Sequence, residues 1–277
     1  FTARLLADLE QAIGASIATR FDLIAGTSIG GILALAVALE IPAARMVALF
    51  ERHGEAIFCK RFSLAGLWRA PYSQKPLQNL LEDPELFGDR TLDACRHPVI
   101  VPAINYSNGQ PVMFKTPHHP DFSRDFRYRL VDVALATSAA PGYFPRHCFD
   151  HNQYVDGGLY ANAPGLFAVH EAERFLGQSR EHLHVVAMGT MSSKFTVDPR
   201  RNRSGGTFDW GGWNPANTPQ RLFGLAISAQ ESAVHALIGH RLPVGHYHHV
   251  DEPLTDARSR AVALDCADAA AREVLLG

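Results

Sequence analysis

Two short stretches carry residue types able to do chemistry together. The first is Gly26-Thr27-Ser28-Ile29-Gly30-Gly31, a GxSxG followed at once by a second glycine. A serine on a sharp strand-to-helix turn is pushed outward, with its hydroxyl at the positive end of the helix. Such a turn needs small flanking residues, and Gly26, Gly30 and Gly31 supply them. The helix start also favours the negative charge of an attacking alkoxide. The second stretch is Asp156-Gly157-Gly158, which sets a carboxylate on a glycine turn at a strand end. Alone it would read as a surface hairpin turn; beside Ser28 it reads as a general base. With Gly and Ser each near ~7% of residues, GxSxG arises by chance in roughly one chain of this length in ten. The surrounding elements therefore have to carry the argument.

Those elements alternate between strand and helix. Phe21 to Ala25 reads as a short buried strand, and Ile29 to Leu39, apolar almost all round, as a core helix. Before them, Leu5, Leu6, Leu9, Ala12 and Ile13 recur at helical spacing. After them, Pro42 is placed to start a helix running to about Phe58, and Pro76 opens a shorter one. HPVIVPAIN and QPVMFKT read as two strands joined near Asn108-Gly109, a hairpin signal. Residues 130–148 begin as a helix of small residues that stops at Ala140-Pro141. A strand then ends in Asp156, and a helix starts at Pro164 after Asn162. Further on, 182–190 and 244–250 read as strands, 219–240 as a helix and 255–275 as an alanine-rich helix. With no internal repeat or linker, one α/β domain spanning 1–277 is expected.

Two segments lack a period. Residues 60–75 mix Phe62, Leu64, Leu67, Trp68 and Tyr72 with basic residues, which suits a packed loop or else a lid or membrane-contacting segment. Residues 191–218 hold Arg200, Arg201, Arg203, Phe208, Trp210 and Trp213, and loops that long are usually functional or mobile.

Composition narrows the classes. Hydrophobic residues make up 47% and charged ones 19%, enough for a sizeable core. The net charge of -2 and a pI near 6.7 argue against a dedicated partner of DNA or RNA. Cys59, Cys95, Cys148 and Cys266 are widely spaced, which fits reduced thiols in a cytosol better than a disulfide framework or zinc site. The longest uncharged run, Leu23 to Leu39, falls short of a membrane span and contains the Gly/Ser turn, so it reads as buried. Of the 14 histidines, His246, His248 and His249 are the tightest group, and they read as solvated or core residues, with no metal. The chain opens on Phe1 inside a helical pattern, so further sequence is expected before it.

GTSIGG, ATSAAPGYFP and VDGGLYANAP, in that order, resemble the patatin-like phospholipases, across residues 21–165. The resemblance implies a three-layer α/β/α sandwich with a central, mostly parallel sheet. It implies a serine acyl hydrolase with a Ser-Asp dyad, no catalytic histidine and no cofactor, with Ser28 as nucleophile and Asp156 as base. The family's glycine-rich oxyanion loop precedes the nucleophile strand and is not among these residues, so the oxyanion donors stay unassigned. FGDRTL, PVMFKT and the long C-terminal half are similar to bacterial CapV-type anti-phage phospholipases, which cyclic dinucleotides switch on. That likeness implies a membrane phospholipid substrate at the inner face of the cell membrane, a cytoplasmic enzyme, a cyclic dinucleotide activator and self-association on activation. Arg200, Arg201 and Arg203 could then pair with phosphates, and Trp210 or Trp213 stack on a base.

Rival readings remain at this level. An α/β-hydrolase would use the same GxSxG with Asp and His, and His170 follows Asp156 in the right order. A nucleotide-binding module is a second, although GTSIGG lacks the P-loop ending and the GxGxxG spacing. A fold kept without catalysis is a third.

Overall fold

The computed structural model describes residues 1–59, 70–190 and 218–252. Helix α1 (Thr2–Ile13) ends on Gly14, whose φ of 66° makes a left-handed cap. A 3-10 turn, Ile17–Arg20, leads to strand β1 (Ile24–Ala25). This strand is shorter than the sequence suggests, because Phe21 N–H is spent on closing the 3-10 turn onto Ala18 O. Helix α2 (Ile29–Ala38) follows, and every residue from Gly31 to Ala38 is buried, as its all-round apolar surface requires. Helix α3 (Ala43–Ile57) starts behind Pro42. Glu10 ties these turns together: its carboxylate accepts Ala43 N–H at 2.7 Å and Ile17 N–H at 3.1 Å. Helix α4 (Lys75–Leu81) carries proline in its first turn.

Strands β2 (Val99–Asn105) and β3 (Gln110–Lys115) form the expected hairpin, with Gly109 at φ 70°. Helix α5 (Leu130–Thr137) precedes two strands, β4 (His147–Phe149) and β5 (Asn152–Asp156). The α/β class stands, and the described ladders are mixed. β1 runs parallel to β2, while β3 and β5 run antiparallel to β2 and β4 antiparallel to β5. The parallel pair needs a crossover, which α2, α3 and α4 supply; β5 returns by a shorter route and enters antiparallel. A short helix α6 (Gly158–Ala161) and then α7 (Gly165–Arg174) follow β5. Strands β6 (Val185–Met188) and β7 (Tyr247–Val250) pair in parallel, joined in sequence through the 24-residue helix α8 (Thr218–Arg241).

Strand alternation shows the layering. Val99, Val101 and Ala103 of β2 and Phe114 of β3 share the main core cluster with α2 and α5. Lys115, the next residue along, therefore faces the other side. There its Nζ meets Glu171 Oε2 of α7 at 2.6 Å, and His118 Nε2 reaches Glu171 Oε1 at 3.1 Å. The sheet is thus covered on both faces. Burial works to raise the Glu171 pKa, but hydrogen bonds from His118 and Lys115 outweigh it and hold the carboxyl below its usual range. Core side chains such as Leu35, Leu135 and Ile100 are fully buried. Each contributes about 1.5–3 kcal/mol over an exposed position.

Helix α8 presents Phe223, Ile227, Val234 and Ile238 to a cavity and leaves Leu222, Leu225 and Leu237 exposed. By length and composition Arg221–Arg241 would pass as a membrane span, yet one side of it forms a wall of that cavity.

Candidate active site

The GTSIGG turn takes the strand straight into α2, and Ser28 is the N-cap residue between them. Ser28 has φ 57° and ψ -129°, a conformation that only glycine adopts readily. The turn closes with Gly31 and Ile32 N–H both on Ser28 O, at 2.9 and 3.2 Å. Space around it is minimal. A Cβ on Gly26 would stand 2.1 Å from Gly30 O, and one on Gly31 would stand 2.8 Å from the Thr137 methyl. Gly30, by contrast, has open space around it, so the crowding expected from the motif holds at Gly26 and Gly31 and not at Gly30. Gly26→Ala is expected to cost roughly 2 kcal/mol or more by overpacking against backbone, a fall in Tm of at least ~5 °C, read by thermal denaturation.

Asp156 ends β5 and is 1% exposed. Ser28 Oγ donates to its Oδ2 at 2.7 Å, and Gly158 N–H donates to its Oδ1 at 2.7 Å. Asp156 N–H is held by Ala139 O at 3.1 Å. Gly157 is obligatory, since a Cβ there would lie 2.4 Å from Pro102 O. Burial pushes the Asp156 carboxyl up to about 7, and the hydrogen bonds from Ser28 and Gly158 only partly oppose that rise. Desolvation thus gives a carboxyl that exchanges its proton near neutral pH, where general-base chemistry is efficient.

Ser28 and Asp156 open into a cavity of about 680 Å³ between α2, α7, β6 and α8. Leu33, Val37, Val169, Leu176, Val185 and Met188 give it apolar walls. Ile29, next to Ser28, and Leu159, three residues after Asp156, are large apolar side chains left exposed.

Three polar residues that the sequence reading left unassigned complete the site. Thr27 Oγ1 donates to Ala161 O at 2.5 Å, tying the serine turn to α6. Asn162 Nδ2 donates to Glu231 Oε1 at 2.5 Å, and Ala163 N–H donates to Gln230 Oε1 at 3.0 Å, docking α8 on the segment after Asp156. Thr137 Oγ1 accepts Ser28 N–H at 3.0 Å and donates to Pro102 O at 2.6 Å. The available signal was a hydroxyl or amide inside an apolar stretch, which needs a buried partner.

His182, His184, His235 and His249 line the cavity, but among the described residues the side-chain hydrogen bonds at Ser28 and Asp156 involve no histidine. His170 is exposed on α7. His235 and His249 reach the cavity, but His235 bonds Tyr247 and stacks on His249 at 3.9 Å. His246 bonds Leu183 O at 3.0 Å and stacks on His184. Among the described residues, no group of three or more His, Cys, Asp or Glu converges as a metal site. Arg200, Arg201, Arg203, Trp210, Trp213, the segment 60–69 and the helix expected over 255–275 lie outside the described residues.

A serine on a strand-helix turn, facing a buried carboxylate in an apolar cavity, is the equipment of an acyl hydrolase. The chain belongs to the patatin-like phospholipase family, whose description matches residues 2–169. It is 45% identical to a cGAMP-activated phospholipase of Pseudomonas aeruginosa, covering 96% of this chain and 78% of that one. It is 33% identical to a cGAMP-activated phospholipase of Vibrio cholerae, covering 97% and 82%. A cGAMP-activated phospholipase of Escherichia coli is 38% identical over 72% of this chain and 60% of its own length.

Proposed function

We propose that this chain hydrolyses acyl esters of membrane glycerophospholipids with Ser28 as nucleophile and Asp156 as base. The observation that carries the reading is the 2.7 Å bond from Ser28 Oγ to a carboxylate whose pKa burial raises to about 7. Asp156 takes the serine proton as Ser28 attacks the ester carbonyl. The alcohol leaves with a proton returned by Asp156, and an acyl-enzyme remains. A water molecule, deprotonated by the same carboxylate, attacks the acyl-enzyme, and Asp156 returns that proton to Ser28 Oγ as the fatty acid leaves. The apolar walls of the cavity suit the acyl chain, and exposed Ile29 and Leu159 suit a lipid surface. What favours a dyad over a Ser-His-Asp triad is that Ser28 Oγ donates directly to Asp156 Oδ2, with no imidazole between them among the described residues.

The second part of the proposal is control by a cyclic dinucleotide in antiviral defence. Support comes from the relatives named cGAMP-activated phospholipase. A cytoplasmic enzyme acting on its own cell's inner membrane face would be toxic if always on. To move from mostly inactive to mostly active, the effector must favour the active state by roughly 5 kcal/mol. Phosphate pairing by Arg200, Arg201 and Arg203 and base stacking by Trp210 or Trp213 would contribute, together with self-association. The expected result is phospholipid vesicle hydrolysis by the full-length protein that rises at least ~100-fold with cGAMP or another cyclic dinucleotide. Equal, high activity with and without these ligands refutes control. Retained activation in an Arg200→Ala, Arg201→Ala, Arg203→Ala variant places the effector elsewhere.

A further inference from the structure

β2 has an unusual neighbourhood. One edge is paired along its length by β3, from Ile100 to Asn105. The other edge is shared: β1 pairs with Val99 and Ile100, and β5 pairs with Ala103 to Asn105. β1 runs parallel to β2 and β5 antiparallel, so their C-terminal ends face each other across a gap at Val101-Pro102. Ser28 follows the end of β1, and Asp156 is the end of β5. The two reacting groups are therefore brought together by an interruption in the ladder, a switch point of the kind where sheets place ligands.

The gap has its own hydrogen-bond problem. Ile24 N–H bonds Pro98 O and Gly26 N–H bonds Ile100 O, so residues 98, 100 and 102 face this edge. Proline at 102 removes the N–H that would have no strand partner there. Its carbonyl still needs a donor, and Thr137 Oγ1 supplies it at 2.6 Å. With its one hydrogen given to Pro102 O, the hydroxyl accepts the Ser28 N–H at 3.0 Å. The chain runs in one direction, from Ser28 N–H to Thr137 hydroxyl to Pro102 carbonyl. Thr137 is 0% exposed, so its hydroxyl bonds only within the protein. Two residues later, Ala139 O holds the Asp156 N–H at 3.1 Å. Gly157 lies against the same Pro102 carbonyl.

We propose that Thr137 is the positioning residue that keeps Ser28 in its sparsely populated conformation and in line with Asp156. Segment 137–139 then anchors nucleophile and base to one fixed strand. A corollary is that the Ser28 N–H is turned into the protein, so the oxyanion is stabilised by other donors. The inference rests on the Ser28–Asp156 reading above.

The test uses the full-length protein, a fluorophosphonate that phosphonylates an activated serine with loss of fluoride, and a p-nitrophenyl ester. Thr137→Val keeps the shape and removes both hydrogen bonds; Thr137→Ser keeps both. Thr137→Val is expected to lower kcat and the labelling rate about 10- to 100-fold with KM within twofold, because a small misplacement of the reacting atom is enough. Thr137→Ser is expected to stay within about threefold of wild type. Wild-type labelling of Thr137→Val overturns the inference, as does a Thr137→Ser variant as slow as Thr137→Val, which would make the methyl group and not the hydroxyl responsible. If Thr137→Val fails to fold, Thr137→Ala against Thr137→Ser below the lower of their Tm values makes the same comparison. All variants are compared with and without cGAMP, and a wild-type protein that the probe labels at Ser28 in neither condition sinks the dyad reading itself.

Discussion

Ser28→Ala is expected to abolish ester hydrolysis, with kcat falling by at least ~1,000-fold, while Tm moves by no more than ~3 °C. The loss follows from chemistry with no substitute: among the described residues, Ser28 Oγ is the hydroxyl that donates to Asp156. The small effect on folding follows from the turn. Ser28 and alanine both carry a Cβ, so the strain at φ 57° is the same for either residue. Both turn bonds that anchor α2 use Ser28 backbone oxygen, and Thr137 holds its N–H, so all survive the change. The variant does free Asp156 Oδ2 of a partner in a buried place, a cost that a protonated carboxyl limits near and below pH 7. Hydrolysis of a short-chain ester, with thermal denaturation on the same samples, decides it. Turnover near the wild-type rate would take Ser28 out of the mechanism.

Much of this site was legible before any coordinates, because its signals are local. A GxSxG between a strand and an apolar helix describes a turn within a dozen residues, and Asp156-Gly157-Gly158 describes another. The glycines state steric facts that the backbone repeats: Gly26 and Gly157 each have a carbonyl where a side chain would go. What the sequence could not state is register. The gap in β2 exists only because β1 and β5, some 130 residues apart in the chain, stop short of each other on one edge. The small-residue helix is expected to run to Ala140 but ends at Thr137, and only the gap gives the Thr137 hydroxyl a purpose. β1 was overread because Phe21 and Leu23 are apolar, yet the 3-10 turn consumes the Phe21 N–H. β4 was missed because His147-Cys148-Phe149 is too short for a period to appear.

Asp156→Asn is expected to remove activity and add stability, two effects from one cause. The wild-type carboxyl is raised from 3.8 to about 7, by burial first. Between those values the folded protein holds a proton that the unfolded chain releases, so stability falls as pH rises through that window. As the pH passes about 7 the buried charge forms and its cost comes to be present in full. Asparagine keeps the shape and can still accept Gly158 N–H through Oδ1, yet it never ionises. Its Tm should therefore exceed that of the wild type by roughly 5 °C at pH 8, on the order of 1–2 kcal/mol, and the difference should shrink toward pH 4.5. Catalysis moves the other way. Wild-type kcat/KM should climb about tenfold per pH unit below the midpoint and level off above pH 7, as the base loses its proton. The variant should lose at least ~100-fold at every pH and show no such rise. Melting curves and ester hydrolysis across pH 4.5 to 8.5 measure both. A wild-type midpoint near 4 would mean that Asp156 is solvated when the enzyme works, and an asparagine variant less stable than wild type at pH 8 would mean that its charge is paired by a group other than Ser28 and Gly158.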